Sequence, residues 1–376
     1  MFGNRIKLFK LLGFEVRVDW SWIIIAILIA WSLSTGLFPF HYKNLSTGTY
    51  WVMGIVGAVG LFLSIIAHEF CHSIVARNYG MRMKGITLFI FGGVAEMGDE
   101  PPHPKAEFMM AGAGPLSSIL IALIFYAVFR VGKAGFPGPI NGVVGYLAWI
   151  NGILAGFNLL PAFPLDGGRM LRAALWHWKD DLRWATRVSS NIGSAFGILL
   201  IVLGVLNILN GNFIGGMWWF LIGMFLRGAA QASYQQLVTR RALEGERVKR
   251  FMKPDPVTVA PSTSLDTLVE DYIYKYHYKM FPVVKDGNKL IGCVTTNQVR
   301  ETPREAWTKK TVGESLQPCS EENVVRPDDD AVKAMSVMRR SGNSRLMVAE
   351  GNHLVGVIAL KDMLQFLSLK VDLDDA

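Results

Sequence analysis

The chain has 376 residues, 51% hydrophobic and 18% charged, with a formal net charge of +8 and a mean hydropathy of +0.30. That balance excludes one ordinary soluble domain, and it equally excludes a chain lying wholly in lipid, because apolar and charged character are segregated along the sequence. The positive charge invites an anionic partner, but the N-terminal basic residues cluster between apolar runs, so a lipid bilayer is expected and nucleic acid is not.

The first 19 residues are basic, with Arg5, Lys7, Lys10 and Arg17. The apolar run Trp20–Phe38 is too long for a signal-peptide core and lacks a small-x-small cleavage site, so it reads as a retained anchor. A transmembrane helix needs about 20 apolar residues. Six stretches qualify, at roughly 20–38, 51–76, 107–130, 141–160, 189–209 and 214–230. They define a membrane half over residues 1–230. The side that holds the N-terminus also holds Arg77, Arg82, Lys84 and Lys105, then Arg169, Arg172, Lys179, Arg183 and Arg187, and finally Arg240 and Arg241. The opposite side holds Lys43 and Lys133, with Arg130 at a helix end. The positive-inside rule then puts both termini in the cytoplasm.

The second stretch contains His68-Glu69-Phe70-Cys71-His72. Two imidazoles and a carboxylate are costly in a membrane span and ask for a functional reason. On a helix His68 and His72 share a face. Neutral imidazoles there can hold one Zn²⁺, and Glu69 beside them can take a proton from an attacking water. Cys71 sits about 100° around the helix from His72 and reads as packing. Residues 85–97 are apolar and β-prone but too short to span. They read either as strands or a hairpin dipping into the cytoplasmic leaflet, whose edge would take an extended peptide by strand addition, or as a packing element. The fourth stretch ends at Asn158-Leu159-Leu160-Pro161-Ala162-Phe163-Pro164-Leu165-Asp166-Gly167-Gly168, where prolines and glycines break the helix. The second and fourth spans run in the same direction, so Asp166 arrives near the depth of the histidines as a third ligand candidate. Three protein ligands with one open position is the pattern of catalytic zinc.

These residues resemble the site-2 protease family of intramembrane zinc metalloproteases. The likeness rests on H-E-x-x-H at 68–72 followed by N-x-x-P-x-x-P-x-D-G at 158–167. The Gly-Gly-Val-Ala-Glu-Met segment at 92–97 and Ala113-Gly114-Pro115 are similar to the family's intervening pattern. The resemblance implies that His68, His72 and Asp166 hold one zinc ion. It implies that Glu69 activates water and carries its proton to the leaving amine, and that Asn158 steadies the scissile carbonyl. The substrate would be a single-span membrane protein, cut in or near its transmembrane segment. Transcriptional signalling and clearance of signal-peptide remnants are both outputs of such enzymes. A different class, a membrane transporter or channel using the His-Glu-His cluster as an ion path, competes with this reading.

Residues 231–250 are polar and read as a linker helix. Beyond them Gly287-Asn288-Lys289-Leu290-Ile291-Gly292 recurs as Gly351-Asn352-His353-Leu354-Val355-Gly356. Each copy follows a helical pattern (265–276; 331–340) and an apolar strand (280–284; 346–349), with Gly-Asn in a hairpin turn. The two β-α-β-β-α units, about 251–304 and 311–372, resemble a tandem CBS pair over 251–372. This resemblance implies adenine-nucleotide binding, with Thr295 and Asp362 contacting the ligand. Each site is half-matched, because Gln298 and Ala359 replace the expected partners. A dimerising or substrate-docking module is the alternative. Several prokaryotic site-2 protease relatives carry such modules, which implies the plasma membrane of a prokaryote. The expected fold is therefore a polytopic α-helical membrane protein of about six transmembrane helices with a short β element, plus a soluble α/β tandem CBS module. Cys71, Cys293 and Cys319 form no CxxC pair, and His103, His177, His277 and His353 show no metal-ligand spacing.

Overall fold

The computed structural model describes residues 5–374 except Arg82, Ile90, Phe91, Gly98, Asp99, Ala134, Asp286 and Gly287. The chain divides into two compact units, Met1–Gln235 and Gln236–Ala376.

The first unit opens with a hairpin of β1 (Arg5–Leu11) and β2 (Phe14–Asp19). Leu12 and Gly13 turn it with φ of 48° and 92°, as a two-residue hairpin turn requires. Phe14, Val16 and Val18 are buried while Glu15 and Arg17 are not, a period of two that the surrounding lysines hid. Asp19 accepts from the backbone N–H of Ser21 and caps α1 (Trp20–Ser32). This helix continues through a π-helical turn, Leu33–Leu37, into α2 (Phe38–His41). Next come α3 (Thr47–Asn78), β3 (Met83–Phe89) and β4 (Gly92–Met97).

The sheet order is β1-β2-β3-β4, with β2 and β3 parallel and β3 and β4 antiparallel. The β element expected at 85–97 is thus half of a larger sheet, which the N-terminal residues complete. Phe14, Val18, Ile86 and Leu88 pack on Phe70 of α3, so the sheet rests on the helical turn between His68 and His72. Glu96 lies within β4, and Asp99 lies outside the described residues.

The remaining helices are α4 (Pro104–Gly132), α5 (Gly138–Asn158), α6 (Asp166–Lys179), α7 (Leu182–Leu209) and α8 (Phe213–Leu243). Six helical stretches are long and apolar enough to cross a membrane, namely Trp20–His41, α3, α4, α5, α7 and α8. The chain is a multi-pass membrane protein. Helix α6 was not foreseen. It has only 14 residues, and its Arg169, Arg172 and Lys179 unsuit it for a span. Residues 231–243 continue α8 without a break.

Helices α7 and α8 touch backbone to backbone. A Cβ on Gly197 would lie 2.8 Å from the Gly223 carbonyl oxygen, and one on Gly216 would lie 2.5 Å from that of Gly204. Small residues permit this approach in lipid, where apolar burial alone gives helices little reason to associate.

The second unit contains both repeats. The first has α9 (Leu265–Thr267), a π-helical stretch Leu268–Ile273, α10 (Tyr274–Tyr276), β5 (Met280–Lys285), β6 (Lys289–Thr295), α11 (Thr296–Glu301) and α12 (Val312–Ser315). The second has β7 (Gln317–Pro318), β8 (Val324–Val325), α13 (Ala331–Ser341), β9 (Arg345–Glu350), β10 (His353–Ala359) and α14 (Leu360–Asp374). Their strands join in one sheet of order β5-β6-β10-β9-β8, with β7 on β6. The two hairpin turns bind each other: Leu290 N–H donates to Asn352 (2.7 Å) and Leu354 N–H donates to Asn288 (3.2 Å). Each repeat keeps its own apolar core, around Leu265, Leu268 and Phe281 in one and Met338, Leu346 and Ile358 in the other. Cys293 is buried, and burial pushes its thiol up to about 11, which leaves it unreactive at neutral pH.

Candidate metal centre

Helix α3 carries His68 and His72 one turn apart, their rings edge to face at 4.8 Å between centroids. Both are buried, as is Asp166. The prolines and glycines after α5 bring Asp166 back to them. Gly167 and Gly168 make this possible: a Cβ on either would lie 2.2 Å from backbone atoms of Leu159 or Phe163. Asp166 Oδ2 then lies 3.1 Å from Nε2 of both histidines, which are 3.2 Å from each other.

The other ring nitrogens are held by α4. His72 Nδ1 donates to the Met110 carbonyl at 2.6 Å. A carbonyl only accepts, so the proton of a neutral imidazole sits on Nδ1 and the Nε2 lone pair faces Asp166. His68 Nδ1 and the Ser118 hydroxyl share a 2.9 Å hydrogen bond, which permits the same tautomer. Two imidazole nitrogens and a carboxylate oxygen thus converge on one point, an arrangement that repels itself unless protons or a metal cation lie among them. Tetrahedral zinc with bonds of about 2.0–2.1 Å places its ligand atoms roughly 3.3 Å apart, close to these separations. The donor set fits Zn²⁺, with a position left for water or substrate.

Gly114 of α4 lies against both rings: a Cβ there would fall 2.2 Å from His72 Nε2 and 2.6 Å from His68 Nε2. One turn before His68, Ser64 accepts a 3.0 Å hydrogen bond from the buried Asn151 amide of α5, which ties that helix to α3.

Glu69 is half-buried beside the cluster and outside it. It faces the sheet: a Cβ on Gly93 of β4 would lie 2.6 Å from Glu69 Cγ and 3.2 Å from its Oε1. The Glu69 carboxylate, the His68–His72–Asp166 cluster and the edge strand of the sheet therefore meet at one place. Asn158 closes α5 and donates its side-chain amide to the Leu154 carbonyl at 3.0 Å, a helix-terminal bond. In the second unit Thr295 caps α11, its hydroxyl and backbone N–H bonded to Gln298, and Asp362 pairs with Lys253 at 3.2 Å. Neither lines the surface cleft of about 510 Å³ formed by Asp255, Pro256, Thr258, Asn288, Leu354 and Val355.

Sequence reading missed Ser118 and the Met110 carbonyl. A serine in an apolar helix is a faint signal, and a backbone carbonyl gives none. It also counted Arg172 only as a cytoplasmic-side charge, whereas the side chain is buried against Glu107.

A buried nitrogen–oxygen donor cluster with a carboxylate beside it, in a bundle of helices long and apolar enough to cross a membrane, is the arrangement of a membrane metallohydrolase. The profile of peptidase family M50 matches residues 56–136 and 132–204, and that of the CBS domain matches 248–304 and 318–369. Rip3 of Mycobacterium tuberculosis is 32% identical over 369 residues, covering 97% of this chain and 93% of that protein. The zinc metalloprotease MJ0392 of Methanocaldococcus jannaschii is 30% identical over 377 residues, covering 98% and 99%. Among solved structures, a site-2 protease from Methanocaldococcus jannaschii is similar at 30% identity with a TM-score of 0.43, over 61% of this chain and 94% of that one. The chain belongs to peptidase family M50, the site-2 protease family of zinc metalloproteases, and carries tandem CBS domains. Family membership decides for the peptidase over the transporter.

Proposed function

We propose that this protein is an intramembrane endopeptidase that cuts single-span membrane proteins in or near their transmembrane segment, toward the cytoplasmic leaflet, in the plasma membrane of a prokaryote. The observation that carries the reading is the convergence of His68, His72 and Asp166 beside Glu69 near the C-terminal end of an apolar membrane helix. The distribution of basic residues supports cytoplasmic termini.

Zinc held by His68, His72 and Asp166 would supply Lewis acidity toward the peptide carbonyl and lower the pKa of water. The rest falls to the chain's own residues. Glu69 takes a proton from the attacking water on its carboxylate, holds it, and passes it to the leaving amine. A helical substrate hides its amides in its own hydrogen bonds, so it must unwind first. Strand β4, at the end of the sheet and against Glu69, offers main-chain partners to the unwound segment. Asn158 steadies the scissile carbonyl, exchanging its bond to Leu154 for one to substrate.

The test is cleavage of a single-span substrate by the full chain in liposomes, with the cut site read by mass spectrometry. A cut within or beside the transmembrane segment is expected, and no cleavage by folded, zinc-loaded protein contradicts the reading.

The CBS domains act as the regulatory part, binding adenine nucleotide through Thr295 and Asp362 and pairing two chains as a homodimer. Titration of the full chain with ATP, ADP and AMP should give saturable heat with a Kd that Asp362→Ala weakens. No heat at millimolar nucleotide discards the nucleotide role.

A further inference from the structure

Arg172 of α6 and Glu107 of α4 form an ion pair shielded from solvent. Glu107 is 0% and Arg172 6% exposed. Glu107 Oε1 accepts from both Arg172 Nε (2.7 Å) and Nη2. The guanidinium also lies over the Phe163 ring, 5.0 Å from its centroid. The second oxygen of Glu107 is buried with no hydrogen-bond partner among the described residues. Desolvating two charges offsets most or all of their attraction, and an apolar pair of similar volume commonly holds two helices equally well. Stability alone therefore does not account for the pair.

Its place in the fold does. Residues 107, 110, 114 and 118 follow one another along α4 at steps of three or four, which puts them on one face. That face holds His72 through the Met110 carbonyl, lies against both rings at Gly114, and holds His68 through Ser118. Glu107 lies on the same face one turn before Met110, and the partner of Glu107 sits six residues beyond Asp166 on α6. Six residues of helix rise about 9 Å, and the seven from Glu107 to Gly114 rise about 10.5 Å. The ion pair and the ligand cluster therefore lie at matching distances along the two helices. Two guanidinium nitrogens bound to the one oxygen Oε1 hold the Arg172 head group in a fixed direction as well as at a fixed distance.

We propose that Glu107 and Arg172 are positioning residues that set the register of α6, so that Asp166 Oδ2 reaches both Nε2 atoms at once. One face of α4 then aligns all three zinc ligands. The inference rests on the zinc peptidase reading of that cluster.

The test uses the detergent-purified full chain and the variants Arg172→Lys and Glu107→Leu/Arg172→Met. Zinc Kd is measured by chelator competition, beside the thermal midpoint, kcat and KM. The double variant is expected to keep its midpoint, since it leaves no charge unpaired. Its zinc Kd should weaken by about 10-fold or more, with kcat lowered and KM unchanged. Arg172→Lys, which keeps the charge and loses the fork, should recover part of the affinity. A wild-type zinc Kd in the folded double variant overturns the proposal. So does a loss of affinity that merely tracks loss of thermal midpoint. Should the double variant fail to fold, Arg172→Lys decides, a weaker Kd at unchanged midpoint supporting the proposal and a wild-type Kd overturning it. Wild-type protein without zinc would overturn the peptidase reading too, whereas zinc held equally by wild type and variants overturns the positioning role alone.

Discussion

Glu69→Gln is expected to lower turnover by about 10²–10⁴-fold while zinc content stays at the wild-type level. The two effects separate because Glu69 stands outside the ligand cluster of His68, His72 and Asp166. Glutamine keeps the shape of the side chain and its contact with the sheet at Gly93, but it cannot hold the proton of the attacking water. Nothing in the described surroundings would replace it, since the described carboxylate nearest in role, Asp166, is committed to both histidines. Turnover of a reconstituted single-span substrate and zinc per chain, measured on the same preparation, check the expectation. Wild-type turnover would remove Glu69 from the mechanism. Loss of zinc along with activity would make it part of the binding site instead.

Gly114→Ala should empty the site while leaving the fold standing. The added methyl would fall 2.2 Å from His72 Nε2, 2.5 Å from His72 Cε1 and 2.6 Å from His68 Nε2. The rings cannot retreat cheaply, because Met110 and Ser118 of the same helix hold their Nδ1 atoms. Either α4 moves off α3 or the imidazoles rotate, and each outcome spoils the convergence on Asp166. Overpacking costs about 1–3 kcal/mol, partly offset by roughly 1 kcal/mol of helix propensity gained over glycine. Folding should therefore suffer by no more than about 2 kcal/mol, whereas zinc affinity should weaken by about 10-fold or more, so that the purified variant loses its zinc. Metal analysis beside a thermal melt decides the point. Full zinc occupancy in Gly114→Ala would mean that α4 does not press on the rings.

What could be read from the sequence follows a physical rule. His68, Glu69 and His72 stood out because ionisable groups in apolar spans are expensive, and Asp166 because the prolines and glycines around it end a span that runs in the same direction as theirs. The spans were legible for the converse reason, and the paired hairpins because their turn sequence repeats. The structure around the site was much less so. The hairpin of residues 5–19 was hidden by its lysines and arginines, which match the positive-inside pattern as well as they match the exposed face of a strand. Helix α6 was hidden by the glycines at its start, which read as a broken backbone although they are there to let Leu159 and Phe163 approach. Arg172 reads in sequence as one more interfacial charge, because its partner Glu107 lies 65 residues away on another helix. The Met110 carbonyl has no side-chain signature, and Gly114 shows its purpose only when the two imidazoles lie against it.

The most direct test is the zinc content of detergent-purified wild-type protein beside Asp166→Ala. Asp166 is the one ligand that comes from outside α3, so its loss leaves only a pair of imidazoles one turn apart. About one zinc per wild-type chain, with zinc lost from Asp166→Ala because two ligands remain where a catalytic site has three, is the expected result. Folded wild-type protein that takes up no zinc, or an Asp166→Ala variant that holds it as tightly, would contradict the assignment of this cluster as the catalytic metal centre.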